Sequence, residues 1–288
     1  MNERLHRQLI SLIQSALEED VGEGDHSTLS CFDSEKKGKA VLLIKEDGVL
    51  AGMEVAREIF HLVEPTANFI ARKADGDNMQ SGETAFEIEA SIQTILKCER
   101  LVLNCMQRMS GIATLTRSYV EILKDYHTKV LDTRKTTPNF RLFEKEAVRI
   151  GGGYNHRFGL YDMIMLKDNH IDFAGGLIPA IERSDRYVRT TNPALKIEVE
   201  TRNIEEVKTV LKFGTGKIHR IMLDNFSPAE VAEAVRLIGD AFEIEASGGI
   251  NLNTVVEYAK AGVDFVSVGA LIHQARSLDL SLKARVVE

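Results

Sequence analysis

Three groups of residues in this chain carry charge, or backbone freedom, at spacings that suit a single pocket. The first group is cationic. DTRKTTPNFR (Asp132–Arg141) sets Arg134 and Lys135 directly behind a short apolar run. GGGYNHRFGL (Gly151–Leu160) carries His156 and Arg157 on a glycine-rich stretch, and MLKDNH adds Lys167 and His170. Arginine grips a carboxylate or phosphate with a planar two-pronged fork, whereas lysine acts as a mobile point charge. Cations crowded together repel one another, so such a group implies a resident anion. Leu131 to Ile171 therefore reads as the part of a site that holds a small, multiply charged anion.

The second group is made of glycines. EASGGIN (Glu245–Asn251) and SVGALI (Ser267–Ile272) each close an apolar run with small residues ahead of a helical pattern. Backbone N–H groups at such a turn cradle a phosphate without any basic side chain. The third group is acidic. Glu200 and Asp224 end successive apolar runs, which suits them to ribose hydroxyls, a hydrated Mg²⁺, or both. Glu198 is expected on the other side of its strand, so Glu200 is the preferred carboxylate. A cationic sector, a carboxylate sector and a glycine sector together describe a ribose phosphate placed beside a small acid.

These residues need a scaffold that brings distant loops to one place. Beyond Tyr126, six short β-rich runs alternate with helical segments: Lys129–Asp132, Met163–Lys167, Leu195–Glu200, His219–Asp224, Phe242–Ser247 and Asp264–Gly269. Helices are expected at Asn203–Phe213, Pro228–Ile238 and Leu252–Ala261 among them. Serial βα order implies a parallel sheet, closed into a barrel or open and doubly wound. No GxGxxG follows the first run, which weakens the dinucleotide-binding option. Every run ends on a polar residue or glycine, as the active-site end of a βα barrel requires.

The first part of the chain has a different rhythm. An amphipathic helix is expected over MNERLHRQLISLIQSALEED, then a turn-rich loop at Val21–Thr28. Strands are expected at Lys39–Glu46, Gly48–Gly52, Asn68–Ala74 and Thr84–Ala90, with a helix at Met53–Val63. A long helix from Ser91 to about Leu123 follows, and Ser110–Gly111 predicts a break or kink within it.

Composition narrows the function classes. The net charge of −7 disfavours a nucleic-acid backbone as partner. No run is apolar enough for a membrane span or a signal peptide. Three cysteines, Cys31, Cys98 and Cys105, lack metal-type spacing. Cys98 and Cys105 share a helix face, where they read as small buried hydrophobes, and a reducing cytoplasm is expected.

ERLVLNCMQRMSGIATLT (Glu99–Thr116), DTRKTTPNFR, GGGYNHRFGLYDMIMLKDNHI, IEVET, IMLDNFSP, EASGGIN and VDFVSVGAL, taken in this order, resemble the quinolinate phosphoribosyltransferases, or carboxylating nicotinate-nucleotide pyrophosphorylases. The resemblance extends from the EDVGEGD loop almost to the C-terminus. His26 departs from the small or apolar run usual after Gly-Asp, and the tail beyond Leu271 is only loosely similar. The resemblance implies an α/β fold: an incomplete parallel βα barrel (residues 116–288) preceded by an N-terminal α/β sandwich domain with a long connecting helix (residues 1–115). It implies a head-to-tail homodimer. It also implies conversion of quinolinate and phosphoribosyl pyrophosphate to nicotinate mononucleotide, pyrophosphate and CO₂, with Mg²⁺, in de novo NAD biosynthesis.

Carried onto this sequence, the resemblance gives Arg134, His156, Arg157 and Lys167 to the quinolinate carboxylates and Lys135 to the pyrophosphate side. Arg100 would reach the neighbouring subunit's site. Glu200 and Asp224 would engage ribose hydroxyls and metal, while Ser247, Gly248, Gly249 and Gly269 would surround the terminal phosphate. Thr133, Val268 and Ala270 complete the implied substrate-binding set, and Lys135, Lys167, Glu200 and Asp224 the implied catalytic one. Two alternatives stay open: a paralogue acting on nicotinate or another small acid, and an anion-binding relative of the molybdenum-transport-associated kind. A third, a generic phosphosugar isomerase or aldolase, shares the phosphate end but does not explain so many cations in one sector.

Overall fold

The computed structural model describes residues 3–34 and 36–285. The chain divides into two compact units. One comprises Met1–Arg117, Thr136–Gly152 and Ile272–Glu288; the other comprises Ser118–Lys135 and Gly153–Leu271.

The first unit opens with helices α1 (Glu3–Val21) and α2 (His26–Cys31), of which Met1 and Asn2 in the expected N-terminal helix lie outside the described residues. Asp25 caps α2, accepting from the Thr28 backbone N–H at 3.1 Å. Strand β1 (Lys37–Ile44), the short β2 (Gly48–Val49), helix α3 (Met53–Val63), β3 (Asn68–Ala71), the short β4 (Asn78–Met79) and β5 (Thr84–Ser91) follow. Phe86, Ile88 and Ala90 alternate along one side of β5 and are buried, and the Phe86 ring meets Phe60 of α3 edge-on with centroids 6.1 Å apart. Phe69 of β3 stacks on Phe86 with ring centroids 4.5 Å apart.

Helix α4 (Ile92–Leu123) is continuous, so the expected break at Ser110–Gly111 does not occur. The glycine has another reason. A Cβ at Gly111 would stand 1.8 Å from the carbonyl oxygen of Arg276, so the helix needs a bare backbone where that segment crosses it. Ser110 is fully buried; its Oγ accepts from the Ala51 N–H at 3.0 Å. Cys98 and Cys105 are buried in α4 as expected, and burial pushes each thiol up to about 12.

The second unit is the parallel sheet. Its strands are β6 (Lys129–Leu131), then, beyond helix α5 (Arg141–Ile150) of the first unit, β7 (Ile164–Leu166), β8 (Ile197–Thr201), β9 (Arg220–Asp224), β10 (Glu243–Ser247) and β11 (Phe265–Ser267). Helices α6 (Asp168–Phe173), α7 (Leu177–Thr191), α8 (Ile204–Gly214), α9 (Pro228–Ile238) and α10 (Val255–Lys260) lie between them. The six strands run in the order β6-β11-β10-β9-β8-β7, an incomplete barrel in which β6 and β7 are not paired with each other. Local chemistry sets the helix starts. Ser227 and Glu230 form a reciprocal cap around Pro228, and the Asn203 side chain accepts from the Glu206 N–H at 3.0 Å.

Alternation along β8, β9 and β10 separates two populations. Ile197, Val199, Ile221, Leu223, Ile244 and Ala246 are buried on one side. The alternating residues Glu198, Glu200, Arg220, Asp224, Glu243, Glu245 and Ser247 are polar and share the other side, with Met222 the apolar member among them. Beyond the short α11 (Ala270–His273), strand β12 (Leu280–Arg285) returns to the first unit. It pairs antiparallel with β1 and completes a four-stranded sheet in the order β12-β1-β5-β3.

Candidate active site

Parallel strands all end at the same edge, which collects the predicted residues of the second unit. Thr133, Arg134 and Lys135 follow β6, Lys167 follows β7, and Glu200 and Asp224 close β8 and β9. Ser247–Gly249 follow β10, and Val268, Gly269 and Ala270 follow β11. Pairing fixes their levels: Glu200 lies opposite Met222, and Ser247 lies opposite Asp224.

Two of the predicted sectors touch. Lys167 Nζ donates to Glu200 Oε2 at 3.0 Å, joining the cationic and acidic groups across neighbouring strand ends. Asp224 is half-buried, and its Oδ2 accepts from the Asn225 side-chain amide at 2.6 Å. The glycine sector has strict backbone demands. Gly248 sits at φ +100°, and a Cβ there would meet Asn225 Oδ1 at 2.2 Å, so no other residue fits beneath that turn.

The cations are crowded, as the spacing implied. Arg157 is half-buried, and its Nη1 donates to the Met163 carbonyl at 3.1 Å. Burial, and then the charge of Arg134, pulls its guanidinium below the ordinary arginine range. Lys135 is exposed at the rim, where its N–H donates to Thr133 Oγ1 at 3.0 Å. His156 is placed differently: its side chain is only 5% exposed and points among the strands below the rim. Arg100 belongs to the first unit, exposed on α4.

Under these residues lies a buried charged layer that the sequence reading missed. His156 Nε2 is 2.9 Å from Glu198 Oε2 and 3.5 Å from Glu245 Oε2. Arg220 donates through Nη1 to Glu245 at 2.7 Å and through Nη2 to Glu243 at 2.8 Å. The Ser267 hydroxyl also donates to Glu245. Burial pushes Glu198 up to about 7; burial and the charge of Glu198 push Glu245 up to about 7 as well. Two carboxyls this close do not ionise together readily. The expectation that Glu198 faces away from Glu200 is corrected here: residues two apart on a strand share a side, and Glu198 sits one layer beneath Glu200.

Models of the two halves of one family match the chain: "Quinolinate phosphoribosyl transferase, N-terminal domain" over residues 25–110 and "C-terminal domain" over residues 112–283. The chain belongs to the quinolinate phosphoribosyltransferase family. It is 43% identical to the chloroplastic carboxylating nicotinate-nucleotide pyrophosphorylase of Arabidopsis thaliana, over 96% of this chain and 82% of that protein. It is 40% identical to the probable carboxylating nicotinate-nucleotide pyrophosphorylase of Bacillus subtilis, over 96% and 93%. The crystal structure of NadC from Streptococcus pyogenes superposes with a TM-score of 0.89 at 42% identity, covering 98% of each chain.

Within this family frame the missed layer did leave a signal. Strands of a parallel sheet buried on both faces read as continuous apolar runs. KIEVE, HRIML and FEIEA instead carry a charge at alternate positions of three neighbouring strands. Glu198, Arg220 and Glu245 are among those charges.

Proposed function

We propose that this member of the quinolinate phosphoribosyltransferase family joins quinolinate to phosphoribosyl pyrophosphate, releasing pyrophosphate and CO₂ and giving nicotinate mononucleotide for de novo NAD biosynthesis. The observation that carries the reading is the Lys167–Glu200 contact at 3.0 Å, which sets an acid-binding cation against a ribose-binding carboxylate. Both substrates are anionic, and the Arg134–Arg157 crowding supports a pocket whose charge they balance.

Arg134, Arg157 and Lys167 hold the two quinolinate carboxylates, while the buried His156 lies beneath them and contacts the Arg157 backbone rather than the acid. Lys135 faces the pyrophosphate, with Thr133 beside it. Glu200 and Asp224 orient the ribose hydroxyls. Ser247, Gly248, Gly249, Val268, Gly269 and Ala270 surround the 5′-phosphate. Once both substrates are held, the pyridine nitrogen attacks the anomeric carbon as the carbon–oxygen bond to pyrophosphate breaks. Positioning and charge supply most of the acceleration, without a side-chain nucleophile. The ring nitrogen is then cationic. The adjacent carboxylate leaves as CO₂, its bonding electrons stabilised by that nitrogen until a proton replaces it.

Mg²⁺ is part of the proposal. Glu200 and Asp224 offer hard oxygen donors at adjoining strand ends, which suits an ion that keeps its waters and borrows phosphate oxygens. When bound, it neutralises charge on the pyrophosphate. Among the described residues one tighter cluster of ligating side chains exists, His156, Glu198 and Glu245. It does not suit the ion: all three residues are buried, leaving no room for the waters Mg²⁺ keeps, and one of the three donors is an imidazole.

The proposed assembly is a homodimer in which the exposed Arg100 completes the site of the neighbouring protomer. Phe173 (92% exposed) and Leu160 (72%) are large apolar side chains that support burial against another chain. Among the described residues no helix is long and apolar enough to cross a membrane. Three free thiols support a reducing compartment, here the cytoplasm.

The test is an assay of CO₂ release from carboxyl-labelled quinolinate, dependent on phosphoribosyl pyrophosphate and Mg²⁺, with nicotinate as the competing acid. Release only with all three components supports the reading. Turnover of nicotinate in place of quinolinate would assign the chain to another small acid.

A further inference from the structure

The charged layer beneath the rim is not needed to hold the sheet together, since apolar residues fill such positions in parallel strands. Its contacts point upward, to one imidazole. The Arg157 backbone N–H donates to His156 Nδ1 at 2.8 Å, so Nδ1 is the unprotonated nitrogen of the ring. The ring proton is then on Nε2, and Nε2 lies 2.9 Å from Glu198 Oε2 with Glu245 behind it. The backbone of the same residue is also pinned, its N–H donating to the fully buried Asp132 at 2.9 Å.

We infer that Glu198, backed by Glu245 and Arg220, is a positioning residue: it holds His156 as the Nε2–H tautomer and thereby fixes the segment that presents Arg157 to the acid substrate. Arg220 to Glu245 and the Arg157 N–H to Nδ1 are hydrogen bonds between named atoms, and Glu198 Oε2 stands in close polar contact with Nε2 at 2.9 Å. Arg220 on β9 fixes Glu245 on β10, and the two carboxyls on β8 and β10 bracket Nε2. The opposite ring nitrogen accepts from the residue whose guanidinium faces the substrate. The tautomer also argues against a metal ion at this cluster, because a ligating Nε2 must give up its proton.

This inference rests on the assignment of Arg157 to quinolinate, and the experiment separates the two. ¹⁵N-histidine labelling of the wild-type enzyme, with His156→Asn to assign the signal, reads the tautomer directly. Nδ1 unprotonated is expected; Nδ1 protonated overturns the inference, whether or not Zn²⁺ or Mn²⁺ binds. Glu198→Ala is expected to shift that signal and raise KM for quinolinate about tenfold or more, leaving KM for phosphoribosyl pyrophosphate within about twofold. Glu198→Gln, whose amide oxygen still accepts, is expected to keep the wild-type tautomer and restore KM to within a few-fold. A folded Glu198→Ala protein with unchanged tautomer and unchanged KM overturns the inference, as does a Glu198→Gln enzyme as impaired as the alanine variant. Should the alanine variant not fold, the wild-type tautomer and the glutamine variant still decide. If Arg157→Ala leaves KM for quinolinate unchanged, it is the site assignment that fails.

Discussion

Lys167 and Glu200 meet across the ends of two neighbouring parallel strands, Nζ to Oε2 at 3.0 Å. The ammonium is 43% exposed while the carboxylate is nearly covered. An arrangement of this kind leaves lysine free to trade its protein partner for a substrate carboxylate. Replacing Lys167 with alanine is expected to lower kcat/KM for quinolinate on the order of a hundredfold or more, with little change in Tm. Steady-state kinetics beside a thermal melt check this; near wild-type turnover in a folded Lys167→Ala protein would remove the residue from the site.

Arg100 lies on the first unit, exposed on α4, whereas Lys167 lies on the second. If Arg100 serves the neighbouring protomer, Arg100→Ala and Lys167→Ala proteins are each inactive alone, and mixed dimers regain one intact site. Random mixing through unfolding and refolding is expected to restore roughly a quarter of wild-type activity. No recovery in dimers shown to be mixed would mean that Arg100 acts on its own chain or not at all.

Gly111 reverses the usual rule for helix interiors. Glycine-to-alanine in an exposed helix stabilises by about 1 kcal/mol. Here the added Cβ would stand 1.8 Å from the Arg276 carbonyl oxygen, so Gly111→Ala is expected to destabilise by about 1–3 kcal/mol or more. Denaturant unfolding gives the sign, and an alanine variant as stable as the parent would refute the contact.

Acid stability offers a fourth check. Burial alone would raise the Glu64 carboxyl, but donation from Lys37, the Ser91 backbone and the Thr94 and Ser91 hydroxyls outweighs it, holding the group at about 2 against an ordinary 4.5. A depressed folded pKa means stability that is full above about 4.5 and is lost as pH falls toward about 2. Its size is on the order of 2 kcal/mol, discounted because Lys37 is largely exposed. Glu64→Gln should therefore flatten the stability curve between pH 5 and 2, roughly the window set by those two values. An unchanged curve would show that Glu64 titrates normally.

Much of the scaffold was legible because its signals are local. Met53–Val63 and Pro228–Ile238 form helices over the residues that periodicity and capping chemistry indicate. Strand ends in polar residues marked the edge where the candidate site residues gather, and the motif order pointed to the family. What stayed hidden depends on distant partners. Gly111 reads as a helix breaker until Arg276 is seen against it. Arg108 and Glu144 look like surface charges, yet Glu144 is fully buried, accepting from Arg108 Nη2 at 2.9 Å and from the Thr137 N–H at 2.8 Å. Glu198 is legible from the twofold period of its strand, which puts it on the same side as Glu200, but its partners Arg220 and Glu245 come from other strands.

The pairing of β12 with β1 has a consequence for synthesis. The four-stranded sheet of the first unit is completed by a strand that follows all six parallel strands in sequence. While the ribosome makes the parallel strands, β1 waits with one edge unpaired and with Val41 and Leu42 in the middle of an apolar run. Nascent chains expose such an edge to mispairing, and charged neighbours are the usual protection. Lys36, Lys37 and Lys39 stand at its start and Lys45 and Glu46 at its close, like guards at both ends of a door that is shut only when Leu280–Arg285 emerges.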